Sequence, residues 1–298
     1  MALIDDIYDM VRVKPGKKFR LKDHDSAWAG DKDVPKKDRK ALAKEIFTQD
    51  TSDLAKAQEL LYASDAYAIL IIFQAMDAAG KDSTIKHVMS GVNPQGCQVV
   101  SFKHPSVEEL DHNFMWRYAK ALPERGKIGI YNRSYYEEVL VVKVHPAILA
   151  NQRIPGVEST KQTWQDRYDD INAFEKHLTQ NGTVILKFFL NLSKDEQRKR
   201  FLDRLSDPTK HWKFSDSDLK ERGFWDDYMN AYETCLSETS TKWAPWYVIP
   251  ADHKWVSRAM VAHVVTHAIE GLDLKYPEVS AAKKDQIAVA KKQLEEEG

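Results

Sequence analysis

The sequence predicts an α/β fold: a three-layer α/β/α sandwich on a central, mostly parallel five-stranded sheet. Two observations carry this reading. Apolar runs of strand length, rich in Val, Ile, Phe and Tyr, begin at Ala68, Gln98, Ile128, Thr183 and Trp246. Segments of helical period separate them, and that alternation builds βαβ units with helices on both faces of a parallel sheet. Ligands of such sheets bind at the carboxyl ends of the strands, so the residues that follow each run are the ones to examine.

Composition narrows the class. A chain of 298 residues can bury a substantial core, and 43% hydrophobic with 30% charged residues are globular values. With a formal net charge of −1, any polyanion must be met by a local basic patch, and nucleic acid is not an expected partner. Cys97 and Cys235 are the two cysteines, far apart and outside any C-x-x-C. They argue against a disulfide framework or zinc site and fit a reducing cytoplasm. The first twenty residues are too charged for a signal peptide, and no run is long enough to span a bilayer. A soluble, cytoplasmic protein without a membrane partner is the expectation.

Residues 1–40 read as a charged, solvated arm, in which Arg12, Lys14, Lys17, Lys18 and Arg20 are alternatively available to steer an anion. Helical period runs from Asp38 to Ser64 through Leu42, Ile46, Leu54, Leu60 and Leu61, with Thr51-Ser52-Asp53 predicted to cap a second helix inside that span. The first strand, from Ala68 to about Phe73, gives way to a small-residue loop and a helix that stops at Gly91-Val-Asn-Pro94. The strand at 98–102 is followed by Ser106-Val-Glu-Glu109, a capping box predicted to open a helix reaching Leu122. The third strand, 128–131, ends in Asn132-Arg-Ser-Tyr-Tyr-Glu137. A helix over 159–180 breaks at Asn181-Gly182 before the fourth strand at 183–190. Ser193 caps a basic helix to Leu205, 206–223 reads as a polar loop, and a helix from Phe224 to Thr239 leads to the fifth strand, Trp246–Pro250. Lys254–Leu274 is the last core helix, and 276–298 is a charged, solvated tail. Residues 1–275 thus form one domain, with 1–64 as arm and helices and 206–223 as a lid region.

The stretch from Ala68 to Lys86 carries the strongest local signal: strand, tight loop, helix N-terminus. Free backbone amides and the positive end of the helix dipole converge there, an arrangement that favours an anion. Its match to G-x-x-x-x-G-K-[ST] is imperfect, because Ala75 replaces the first Gly and Asp82 follows Gly80-Lys81 directly. The first hydroxyl is therefore Ser83. An ordinary strand-to-helix turn with a solvated Lys81 is the plainer alternative. Asp77 favours the phosphate reading, since a carboxylate inside such a loop repels anions unless it holds a cation. That points to Mg²⁺.

Asn132 and Arg133 end a strand where polar groups are costly unless they face a crevice. Arg133 has the fork geometry to clamp a phosphate, and Glu137, four residues on, projects to the same side to hold a second Mg²⁺ or orient an attacking oxygen. An Arg133–Glu137 salt bridge is the alternative. Arg117 is a weaker phosphate candidate. The segment 194–222 concentrates Arg198, Lys199, Arg200, Arg204, Lys210, Lys213, Lys220 and Arg222 around His211 and Trp212, as a closing lid for phosphoryl transfer requires. A solvated helix face, its charge offset by Asp195, Glu196, Asp203, Asp207, Asp216 and Asp218, is the alternative. His263 and His267 share a helix face, but no further ligand accompanies them in sequence and they read as structural.

Phe73-Gln-Ala-Met-Asp-Ala-Ala-Gly-Lys-Asp82, Gly91-Val-Asn-Pro94, Asn132-Arg-Ser-Tyr-Tyr-Glu137, Leu186-Lys-Phe-Phe-Leu190, Ser193-Lys-Asp-Glu-Gln197, Trp212-Lys-Phe-Ser215 and Ala244-Pro-Trp-Tyr-Val-Ile-Pro-Ala251 stand in one order. In these motifs, over residues 10–275, the chain resembles the polyphosphate kinase 2 family, P-loop kinases related in fold to thymidylate kinase. The resemblance implies reversible, Mg²⁺-dependent phosphate transfer between inorganic polyphosphate and a nucleoside mono- or diphosphate, with Mn²⁺ as a substitute ion. It implies that Asp77 is the catalytic carboxylate, that Asp77 and Glu137 hold metal, and that Arg133 contacts both substrates. Ala79, Gly80, Lys81, Asp82, Ser83, Thr84 and Arg133 would hold polyphosphate; Asn132, Arg117, Arg198, Lys210 and Lys213 would serve the nucleotide and lid. Some relatives carry Asp at the position of Asn132. A homo-oligomer, dimer or tetramer, is implied as well. Two other classes stay open: an ATP-dependent nucleoside monophosphate kinase and a non-catalytic nucleotide-binding module.

Overall fold

Strand β1 (Ala68–Gln74) is buried along its whole length, because it lies in the middle of the sheet with helices over both faces. The computed structural model describes residues 8–297, apart from the side chain of Lys213. Five strands, β1, β2 (Cys97–Ser101), β3 (Ile128–Asn132), β4 (Thr183–Asn191) and β5 (Trp246–Pro250), form one sheet in the order β2-β3-β1-β4-β5. Every neighbouring pair is parallel, as the alternation of strands and helices predicts.

Period-two alternation sends successive side chains to opposite faces. Ile69, Ile71 and Phe73 join Ile128, Ile130, Phe188 and Ile249 beneath helices α1 (Lys36–Ser64), α2 (Lys81–Val88) and α7 (Lys254–Glu270). Leu70 and Ile72 join Tyr131, Phe189 and Trp246 on the other face, beneath α3 (Lys161–Gln180) and α6 (Trp225–Thr239). Helices α4 (Lys194–Leu205), α5 (Asp216–Gly223) and α8 (Ala281–Glu296) complete the set used below.

A charged network stands inside the second face. Lys187, fully buried on β4, spends its three ammonium protons on Glu175 Oε2 at 2.7 Å, Tyr136 OH at 2.8 Å and the Thr239 carbonyl at 2.7 Å. Glu175 Oε1 accepts from Tyr135 OH at 2.9 Å and Tyr136 OH at 2.7 Å. A buried ion pair persists when every remaining donor and acceptor is satisfied, and this one meets that condition.

Four local expectations are corrected. Thr51-Ser52-Asp53 caps nothing: α1 is continuous over 29 residues. Thr51 Oγ1 bonds back to the Phe47 carbonyl at 2.8 Å, and Asp53 takes Gln49 and Lys56 within the same helix. The capping box at Ser106 forms, but its helix ends at Leu110 and a separate turn runs from Trp116 to Ala119. Segment 206–223 is not a plain loop: it holds a 3₁₀ turn (Pro208–Lys213) and α5. The arm is not merely solvated, for Val11, Val13 and Phe19 are buried and Val13 N–H donates to the Trp246 carbonyl at 2.8 Å. No helix among the described residues is long and apolar enough to cross a membrane.

Candidate active site

The loop after β1 is shaped by two left-handed residues, Ala78 (φ 61°) and Gly80 (φ 103°). At Gly80 the backbone conformation, not lack of space, demands glycine, since an added Cβ would meet nothing nearer than Arg200 Nη1 at 3.8 Å. Ala78 lacks that freedom: the conformation costs on the order of 1–3 kcal/mol and persists because its surroundings fix it. Arg200 does the fixing. Its guanidinium donates to the carbonyls of Ala78 (3.1 Å), Ala79 (2.8 Å), Ala251 (2.6 Å) and Asp252 (3.2 Å), while Nε holds Glu196 at 2.9 Å. The loop is thereby tied to the end of β5.

Helix α2 opens without a side-chain cap. Its first internal bond is Thr84 N–H to the Gly80 carbonyl at 2.9 Å, so the preceding amides are left for an external acceptor. These amides face a cleft of about 870 Å³ lined by residues 77–83, Ser101–His104, Asn132, Arg133, Arg200, Arg204, Lys210, Trp212, Asp218 and Lys254 among others. The cleft lies over the carboxyl ends of β1 and β3, where the fold class predicts a ligand.

Arg133 leaves β3 in the left-handed conformation (φ 67°), with its amide bonded to the Phe73 carbonyl at 3.1 Å. Its Nη2 reaches Asp77 Oδ1 at 3.1 Å and its Nη1 lies 3.8 Å from Glu137 Oε2. One guanidinium therefore stands between two carboxylates from separate segments. The sequence expectation of an Arg133–Glu137 pair is met in weaker geometry than the Arg133–Asp77 contact, and Glu137 is on a 3₁₀ turn (Tyr135–Val139). Lys81 Nζ donates to the Ala75 carbonyl at 2.8 Å beside this group. Burial and the Arg133 charge pull Lys81 below the usual amine range, against Asp77, Glu137 and Asp82. The Glu137 charge raises Arg133.

Burial pushes the Glu137 carboxyl above its ordinary range, although Arg133, Lys81 and Gln74 favour its charged form. A carboxyl raised in this way stabilises the fold fully at pH below the unfolded value, and that contribution is lost as pH rises through the folded value. Glu137→Gln is therefore expected to raise Tm near neutral pH in metal-free buffer. The gain should disappear below about pH 4, where both forms are neutral. An unchanged or lower Tm for the variant at neutral pH would overturn this account. The pair lost with Arg133 offsets little, since the guanidinium is 42% exposed.

The remaining predicted residues divide. Asn132 donates to Asp82 Oδ1 at 2.6 Å and so holds that carboxylate at the start of α2. Ser83 accepts from Arg258 at 2.7 Å. Ala79, Gly80 and Lys81 line the cleft, whereas Thr84 is buried behind it. Lys210 reaches the cleft but pairs with Asp207 at 2.6 Å. Arg117 does not reach it: it bonds Glu109 at 3.2 Å and the Lys103 carbonyl at 2.7 Å, against the rings of Phe102 and Tyr118. Arg198 points to solvent on α4, because the face of that helix turned to the cleft carries Arg200 and Arg204 instead. The side chain of Lys213 lies outside the described residues. Sequence reasoning left Arg200, Arg204, Asp218 and Lys254 without individual roles; the three-to-four-residue spacing of Arg200 and Arg204 was the available signal.

Comparison with known proteins finds relatives over most of the chain. A sequence profile described as Polyphosphate kinase 2 (PPK2) matches residues 36–277. The chain is 55% identical over 251 residues to an ADP-polyphosphate phosphotransferase of Rhodopseudomonas palustris, covering 84% of this chain and 87% of that one. It is 44% identical over 275 residues to an AMP/ADP-polyphosphate phosphotransferase of Meiothermus ruber, covering 91% and 96%. A crystal structure of polyphosphate kinase 2 from Arthrobacter aurescens TC1 superposes with a TM-score of 0.84 at 39% identity, covering 95% of this chain and 96% of that one. The chain belongs to the polyphosphate kinase 2 family.

Proposed function

We propose that the chain transfers the terminal phosphate of inorganic polyphosphate to ADP, and also to AMP, in a reversible reaction. The observation that carries this reading is Arg133 held between Asp77 and Glu137 at the mouth of an anion-binding loop. Phosphoryl transfer asks chiefly for positioning and charge neutralisation, and this group provides both. The amides that open α2 bind phosphate oxygens, Arg133 bridges donor and acceptor, and Arg204, Lys210 and Lys254 extend the positive lining. The cleft is open, as a donor too long to enclose requires.

The donor set fits Mg²⁺. Asp77 and Glu137 supply hard carboxylate oxygens, and burial penalises the charged form of Glu137, a cost that a bound cation would offset. Those two residues would hold the ion, which supplies neutralisation of the transferring group when bound. Asp77 also orients Arg133. Free Cys97 and Cys235 support a reducing cytoplasmic setting, and a homo-oligomer rests on the family resemblance.

The deciding experiment supplies polyphosphate, Mg²⁺ and either ADP or AMP, and follows the nucleotides formed. ATP from ADP and ADP from AMP are the expected products. Phosphorylation only with ATP as donor would replace this reading with a nucleoside monophosphate kinase. No turnover with any donor would leave a binding module.

A further inference from the structure

We propose that Asp50, His263 and His267 form a binding site for a divalent transition metal, with Zn²⁺ as its probe, that clasps α1 to α7. The site is remote in sequence and separate from the cleft. Asp50 and His263 are 6% and 3% exposed, and Asp50 Oδ2 lies 3.3 Å from His263 Nδ1. Neither atom makes a hydrogen bond. Two buried polar atoms thus face each other without a donor in line, a costly arrangement that a shared cation would resolve. Their separation matches two corners of a tetrahedron with metal–ligand bonds of about 2.0–2.1 Å, whose edge is about 3.3–3.4 Å.

His267 supplies the third corner. It follows His263 by one helical turn, with the two ring centroids 3.9 Å apart. Its Nδ1 donates to the His263 carbonyl at 3.0 Å, which leaves Nε2 to offer a lone pair. A backbone carbonyl on the far nitrogen is the usual support of a metal-binding imidazole. One ligand atom from each of the three residues lies within 4.8 Å of the others. Thr266 Oγ1 donates to the Asp50 carbonyl at 3.0 Å and fixes the register of the two helices at this level.

Ligand chemistry names the class of ion. Two imidazoles and one carboxylate suit Zn²⁺ and its neighbours, whereas Mg²⁺ prefers oxygen donors and retained water. Three protein ligands leave a fourth position for water on the exposed His267 side. Helix α7 also carries Arg258, whose Nη2 donates to Ser83 Oγ at 2.7 Å. A metal at His263 and His267 would therefore brace the helix that supports the phosphate loop.

The test uses the full chain stripped of metal by a chelator and kept in millimolar Mg²⁺. Calorimetric titration should find one Zn²⁺ per chain, and saturating Zn²⁺ should raise Tm by a few degrees. His267→Ala, at an exposed position, should keep the metal-free Tm, lose the Zn²⁺-dependent rise and weaken binding about 100-fold or more. Asp50→Asn should lose the rise as well, while Asp77→Asn should retain it. No Zn²⁺-dependent rise in the unmodified chain, or an equal rise in His267→Ala, would show that Asp50 and His263 are an ion pair and overturn the proposal.

Discussion

Asp77→Asn is expected to lower the rate of ATP formation from polyphosphate and ADP by about 10³-fold or more, with Tm unchanged. Asparagine keeps the shape of the side chain and an oxygen for Arg133 Nη2, which now lies 3.1 Å from Asp77 Oδ1. The main-chain anchor is untouched, since Gln197 Nε2 donates to the Asp77 carbonyl at 2.9 Å. What disappears, on the proposed function, is the negative charge that would hold a cation and turn the guanidinium toward the transferring group. Loss of one fixed electrostatic partner of a transition state typically costs 10²–10³-fold, and loss of metal ligation adds to it. About 10³-fold corresponds to roughly 4 kcal/mol of barrier. Initial rates at saturating Mg²⁺ measure it, beside thermal denaturation of both proteins. A rate within tenfold of the parent would remove Asp77 from the chemistry.

Lys187→Met should be the most damaging single change away from the cleft. It removes the ammonium and leaves Glu175 buried with only tyrosine donors. Breaking one side of a buried pair costs about 3–5 kcal/mol, whereas replacing both partners by apolar groups is often close to neutral. The double variant Lys187→Met/Glu175→Leu should therefore be more stable than the single one. Denaturant titration decides between them, and an additive further loss in the double variant would refute the pair as the cause. The single variant should also lose activity, because Tyr135 and Tyr136 belong to the turn that carries Glu137.

Four of the five strands were legible because each is a short, largely buried apolar run, and the exposed edge strand β2 because Val99 and Val100 stand between turn residues. The strand–loop–helix turn after β1 was legible because glycine, lysine and a helix start fall together. The errors have physical sources. Thr51 looked like a cap because threonine bonds local backbone equally well from inside a helix. Helical period could not show that Asn113 would restart the chain at Met115, which donates to its side chain at 3.1 Å. Within α4, charge counting gave Arg198 the same standing as Arg200, and only packing separates an exposed guanidinium from one that grips four carbonyls. His263 and His267 seemed unaccompanied because Asp50 is more than two hundred residues away along the chain. Such pairings belong to tertiary structure and leave no mark in a local window.

The strap at Arg12 and Val13 has a further consequence. Tyr247 already pairs with Phe188 on one side, so the antiparallel bridge from Arg12 occupies its outer side. Endless stacking of sheets edge to edge needs two open borders per molecule, one to receive and one to offer. Here the β5 border carries that bridge, whereas β2, with Val99 half exposed, is an edge strand paired only with β3. Two copies that met through β2 would each be left with the bridged β5 edge as their outward border, so this contact favours a pair over a fibre.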